Sequence, residues 1–270
     1  LVGSEMCIRD RNKAGAEKMA TVWFEALKKV LASSETVFSP EIVRYKTLED
    51  GDSLALHIFK PRNMQAGEKR PAIVYFFGGG WKLGTPIQFY RECAYYASKG
   101  MVAVSVDYRI GYLHHSTPFE SFEDAKDAIC WLRSHASDYQ LDPDKIAVAG
   151  GSAGGHLAAA LGTIGSDETV PAGYRPNLSV LYYPVVDMVS RGYGFPEIKR
   201  DFEKISPIHH VSEATPSTLI LLGTKDPIVS VETIEAYQDK LLQKGVDCEL
   251  HLFEGAGHPI FLYRKPLTEE

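Results

Sequence analysis

Apolar residues fall into two rhythms along this chain. Residues 72–77, 102–107, 145–149, 179–183, 218–222 and 249–253 are short, mostly apolar runs rich in Val, Ile, Leu and Tyr. Runs of this length, bounded by polar and Gly-containing stretches, read as buried strands. Between most of them, residues 89–99, 121–137, 154–164 and 231–244 repeat their apolar positions at three- and four-residue spacing, the period of an amphipathic helix. Strand alternating with helix predicts a mostly parallel sheet. Ahead of this pattern, residues 42–48 and 54–60 read as two more strands, joined by the turn Glu49-Asp50-Gly51-Asp52. The expected architecture is α/β: a mostly parallel eight-stranded sheet with helices on both faces. Residues 187–210 interrupt the alternation and are the natural place for a short cap over a site.

The two ends read differently. Residues 16–31 have helical spacing at Met19, Val22, Trp23, Ala26, Leu27 and Val30, so 12–41 is expected as an N-terminal helical segment before a domain spanning 42–270. Residues 1–11 match the translation of a common transposase-based sequencing adapter in one reading frame throughout. Such a segment is set aside in reasoning about the fold, and it is expected to add nothing to it. Twelve residues follow His258, where a sheet of this type normally adds a final helix; that helix is expected to be cut short. The sequence assigns neither a compartment nor an oligomeric state.

Composition narrows the function classes. With 44% apolar and 24% charged residues in 270, the chain reads as an ordinary globular domain. No apolar run reaches the length of a membrane-spanning helix. The net charge of −6 comes without a basic cluster, which argues against nucleic acid as a partner. Cys7, Cys93, Cys130 and Cys248 have no C-x-x-C spacing and no neighbouring His cluster, so no metal is expected. Cys93, Cys130 and Cys248 are expected to be buried or half-buried.

The chemistry concentrates at three loops, each following a predicted strand. Gly150-Gly151-Ser152-Ala153-Gly154-Gly155 contains G-x-S-x-G between a strand and a helix, the setting that exposes a serine on a sharp turn. Ser152 is the candidate nucleophile. Phe77-Gly78-Gly79-Gly80-Trp81 follows an earlier strand. Its glycines allow main-chain amides to face the negative charge that acyl transfer builds, so Gly79, Gly80 and the amide of Ala153 are the expected oxyanion donors. A serine needs a base, and the base needs a carboxylate to orient it. Asp226, after the strand at 218–222, and His258, after the last strand, come in the required order. Asp187 is the alternative acid. His209 and His210 are expected to cap or line the pocket, and His251 to sit in a strand.

With these residues in place, the chain resembles the hormone-sensitive-lipase-like and acetyl-esterase branch of the α/β-hydrolases over about residues 43–261. The likeness rests on Phe77–Trp81, Asp107-Tyr108-Arg109, Gly150–Gly155, Tyr183-Pro184, Gly223–Pro227 and Gly257-His258. It implies the α/β-hydrolase fold and a serine carboxylesterase that needs no cofactor and acts on a small-molecule or carbohydrate ester. Acetyl or feruloyl esters are the leading candidates; amide hydrolysis and a non-catalytic binding role are the alternatives. Trp81, Tyr108 and Ile228 are the expected substrate contacts. The chain departs from the pattern at Phe77, where a His is usual, at Gly151, where an acidic residue is usual, and in the stretch after Arg109.

Overall fold

The computed structural model describes residues 39–62, 64–165, 172–188 and 201–260. The expected segment 1–11, residues 12–38 of the expected segment 12–41, the centre of the expected cap at 189–200, and the chain after 260 lie outside the described residues.

All eight expected strands are present: β1 Glu41–Thr47, β2 Ser53–Phe59, β3 Arg70–Phe76, β4 Val102–Val106, β5 Leu141–Gly151, β6 Leu178–Tyr182, β7 Thr218–Gly223 and β8 Cys248–Phe253. They form one sheet in the order β1-β2-β4-β3-β5-β6-β7-β8. β2 pairs antiparallel with both β1 and β4, and every pairing from β4 through β8 is parallel. This is the α/β-hydrolase fold. β4, Val-Ala-Val-Ser-Val, is buried at every position, as a central strand covered on both faces must be. β1, at the edge, carries the polar residues Arg44 and Lys46 among largely exposed positions, which discourages pairing with another chain.

Among the described residues, four longer helices cover the sheet: α1 Tyr90–Ser98, α2 Pro118–Ser134, α3 Ala153–Thr163 and α4 Val231–Gln243. α1 packs on β4, α3 on β5 and β6, and α4 on β8. α2 starts three residues before the apolar period predicts. Pro118 occupies its first turn, and Thr117 and Glu120 form a reciprocal capping box, the Thr117 amide donating to Glu120 at 2.7 Å. The signal Thr-Pro-x-Glu was legible, but periodicity passes over it because it lies in polar residues.

Cys93 is buried and Cys248 half-buried, but Cys130 is exposed, contrary to expectation. It follows Ile129 on α2, whose buried stripe runs through Phe122, Ala125, Ala128, Ile129 and Leu132, and one residue further turns the side chain by about 100° out of that stripe.

Asp124, fully buried on α2, ties this helix to the sheet. Its carboxylate accepts from Lys46 Nζ at 2.6 Å, from Arg109 Nε and Nη2 at 2.8 Å each, and from the Arg109 backbone amide at 2.9 Å. One carboxylate thus fixes α2 to β1 and to the segment leaving β4. Removing its charge leaves Arg109 facing a neutral amide, while Lys46 keeps its pairing with Asp127. Asp124→Asn is expected to lower the free energy of unfolding by about 3 kcal/mol, read from urea denaturation; a loss under about 1 kcal/mol contradicts this role.

Candidate active site

The parallel strands β3, β5 and β7 and the last strand β8 deliver their loops to one end of the sheet, where open α/β sheets bind ligands. Ser152 sits between β5 and α3 with φ 56° and ψ −118°, a left-handed conformation that a side chain disfavours. The crossing beneath it explains how the turn is held. A Cβ on Gly154 would lie 2.0 Å from the Phe76 carbonyl oxygen, and one on Gly150 would lie 2.3 Å from the Gly154 carbonyl. Only hydrogen at both positions lets α3 leave β5 so close to β3. The Ser152 amide donates to Tyr182 at 3.0 Å, and its carbonyl accepts from the His156 amide at 2.9 Å.

The Ser152 side chain meets the expected partners. Asp226 Oδ2 lies 2.6 Å from His258 Nδ1, and His258 Nε2 lies 2.9 Å from Ser152 Oγ. A carboxylate only accepts, so Nδ1 carries the proton, Nε2 presents its lone pair, and Ser152 Oγ–H donates to it. The other Asp226 oxygen accepts from the amides of Ile228 at 2.8 Å and Val229 at 3.0 Å. Burial would raise the Asp226 pKa, but the His258 hydrogen bond and these two amides hold it below the usual carboxylate value. It remains ionised and acceptor-only. Asp187, the alternative acid, instead faces His209 at 3.8 Å.

The glycine loop turns sharply: Gly79 has φ 140° and Gly80 φ 62°. Among the described residues, no hydrogen bond of the loops or caps is donated by the amides of Gly79, Gly80 or Ala153. The Gly78 amide, in contrast, donates to Gln88 Oε1 at 2.5 Å. Gln88 and a stack of Phe77 on Tyr108, centroids 4.1 Å apart, restrain the loop where His is usual. Gln88 was not legible as a partner, because nothing local marks its reach back across ten residues. The Gly151 departure also has a steric reason: a Cβ there would lie 2.8 Å from the Tyr183 hydroxyl, and Tyr183 itself packs edge-on against His258 at 4.7 Å.

Two of the expected substrate contacts make buried hydrogen bonds. Tyr108 is fully buried, and its hydroxyl donates to the Phe77 carbonyl at 2.6 Å. Trp81 is only 1% exposed, and its indole N–H donates to His156 Nδ1 at 3.3 Å. Both side chains are packed into the fold behind the glycine loop. Ile228 is exposed beside Asp226. His210 donates to the Glu203 carbonyl at 2.7 Å, and His251 donates to Glu249 at 2.6 Å on the exposed face of β8. His156 had no sequence signal beyond its place in an apolar helix. Among the described residues, no cluster of His, Cys, Asp and Glu is arranged to hold a metal ion, and no helix is long and apolar enough to cross a membrane.

The sequence model of the BD-FAE family matches residues 56–195, the stretch that carries the glycine loop and Ser152. The chain belongs to the BD-FAE family. Within the α/β-hydrolase carboxylesterases, this BD-FAE chain is similar to esterase LipC of Mycobacterium tuberculosis, 29% identical over 71% of this chain and 53% of that protein. It is also similar to an acetylxylan esterase of Xylanibacter ruminicola, 25% identical over 78% of this chain and 44% of that protein. The chain spans about half the length of the curated relatives it matches. Esterase Est2 of Thermogutta terrifontis is 36% identical, covers 84% of this chain and 86% of its own, and superposes with a TM-score of 0.78. That esterase has also been solved with propionate or butyrate bound and phosphorylated by paraoxon.

The packing beneath Ser152 generates a direct prediction. Gly154→Ala forces a methyl group against the Phe76 carbonyl, which belongs to strand β3 and cannot swing aside, and against the Phe77 carbonyl that follows it. It is expected to destabilise the fold by about 3 kcal/mol or more, measured by chemical denaturation. Wild-type stability in that variant contradicts the crossing geometry.

Proposed function

We propose that this BD-FAE chain hydrolyses short-chain carboxylic esters through an acyl-enzyme on Ser152. The observation that carries the reading is the continuous relay Asp226–His258–Ser152, with contacts of 2.6 and 2.9 Å. Ser152 Oγ attacks the acyl carbon and His258 Nε2 takes its proton. Asp226 keeps the imidazole in the tautomer that can accept, and stabilises the imidazolium that results. Charge on the carbonyl oxygen falls to the amides of Gly79, Gly80 and Ala153. His258 returns the proton to the departing alcohol. Water, deprotonated by His258, then attacks the acyl group, and His258 returns that proton to Ser152 Oγ as the carboxylic acid leaves. Every proton in the cycle passes through one imidazole, and no step calls for a cofactor.

Acetyl and similarly small acyl groups are the proposed substrates, on carbohydrate or other small alcohols. The likeness to an acetylxylan esterase and to an esterase solved with propionate and butyrate supports this class.

Removal of the nucleophile tests the reaction. Ser152→Ala is expected to lower kcat on p-nitrophenyl acetate by about 10⁴-fold or more with the circular dichroism spectrum unchanged; near-normal turnover overturns the assignment. A series of p-nitrophenyl esters tests the acyl group. kcat/KM is expected to fall steadily beyond about four to six acyl carbons, as a filled pocket rejects each added methylene at about 1–3 kcal/mol. A maximum at about twelve carbons or longer contradicts the short-chain proposal.

A further inference from the structure

The oxyanion amides of the proposed mechanism come from two separate segments, the 78–81 loop and the start of α3. Their usefulness depends on the spacing between those segments, because an oxyanion donor misplaced by about 1 Å loses most of its effect. The loop does not hold its shape through local preference. Gly79, Gly80 and Trp81 have φ of 140°, 62° and 58° in succession, and at Trp81 this is a conformation that side chains rarely adopt. The Trp81 carbonyl accepts from the Gly111 amide at 2.8 Å, which secures the outer end of the loop.

The inner end is secured by an imidazole. Trp81 Nε1–H donates to His156 Nδ1 at 3.3 Å, the rings meeting edge-on at 85°. His156 Nε2–H donates to the Ile205 carbonyl at 2.7 Å. With Nδ1 accepting and Nε2 donating, both ring nitrogens are used by the one neutral tautomer. Burial pushes the His156 pKa down to about 4, so that tautomer persists at neutral pH. His156 lies on α3, one turn beyond Ser152, and its amide donates to the Ser152 carbonyl. Both Trp81 and His156 are buried, so water does not replace either bond.

We propose that His156 is a positioning residue for the oxyanion site: it ties the strained glycine loop, through Trp81, to the helix that carries Ser152 and Ala153. The proposal rests on the ester-hydrolase reading above. A residue that merely filled space here would be replaceable by an apolar side chain of similar volume. A strut that works by accepting the indole N–H is not, and its loss lowers transition-state binding while leaving ground-state binding in place.

Four variants decide it: His156→Leu, His156→Asn, Trp81→Phe, and His156→Leu with Trp81→Phe. The readouts are kcat and KM on p-nitrophenyl acetate and the inhibition constant of phenylboronic acid, whose serine adduct places an oxygen among the same amides. His156→Leu is expected to lower kcat by about 10- to 100-fold with KM within about threefold. Phenylboronic acid should weaken by a factor similar to the loss in kcat/KM. Trp81→Phe should lose about as much, and the double variant no more than either single one, because both remove the same contact. His156→Asn offers an oxygen in place of Nδ1 and should recover kcat to within about threefold of wild type. A folded His156→Leu with kcat within about twofold of wild type overturns the proposal. So does a fall in kcat with boronate affinity unchanged, or an Asn variant as slow as Leu. If His156→Leu does not fold, Trp81→Phe decides: unchanged kcat and boronate affinity overturn the strut. A wild-type protein that hydrolyses no ester defeats the earlier reading instead, and is seen before any variant is compared.

Discussion

The turn at Ser152 is the constraint on which the rest of the site depends. A serine at φ 56° is disfavoured by about 1–3 kcal/mol and persists only where its surroundings leave no alternative. Here the surroundings are strand β3, whose Phe76 carbonyl stands where a Gly154 side chain would begin, and helix α3, which leaves β5 at that point. Relaxing the turn would drive α3 into the sheet. The whole parallel sheet therefore holds Ser152 above its carboxyl end. From that fixed point His258 is reached by the loop after β8, and Asp226 by the loop after β7. β7 and β8 are neighbours in parallel register from Thr218 and Cys248 through Gly223 and Phe253, so the two loops emerge side by side. The spacing between His258 and Asp226 is a property of strand pairing.

The same logic accounts for what was legible in the sequence. The eight strands, four helices and the Ser, Asp and His loops could be read because each combines a period with a glycine or turn signal at its end. The capping box at Thr117 and Glu120 and the outward face of Cys130 were legible in principle. They were missed where a period was given more weight than the residues flanking it. The burial of Trp81 and Tyr108 was hidden for a different reason. Their place beside the glycine loop is visible in sequence, but the direction of a side chain at positive φ, or at the end of a buried strand, is set by tertiary packing. Tyr108 reaches under Phe77, and Trp81 turns back to His156. Gln88 and His156 had no signal at all, since their side-chain hydrogen bonds reach segments outside their own elements.

The departures from the usual pattern form a consistent set. Phe77 in place of His is matched by its stack on Tyr108 and by the bond from the Gly78 amide to Gln88. Gly151 in place of an acidic residue is matched by Tyr183, whose hydroxyl occupies the space and whose ring packs on His258. In each case an aromatic contact stands where the family pattern has a polar or charged side chain. Neither Phe77 nor Gly151 carries a charge. Charge is concentrated instead at Asp124, where Lys46 and Arg109 converge to bind α2 to the sheet.

The central claim is that the position of Ser152, within reach of His258, makes it a nucleophile. The most direct measurement is the reaction of the folded protein with paraoxon, followed by proteolysis and mass spectrometry of the peptides. One phosphoryl group per chain is predicted, on the peptide containing Ser152, and none if the protein is unfolded in urea before the reagent is added, since an isolated serine is a poor nucleophile without its base. A folded protein that acquires no adduct, or acquires it at a residue other than Ser152, contradicts the account.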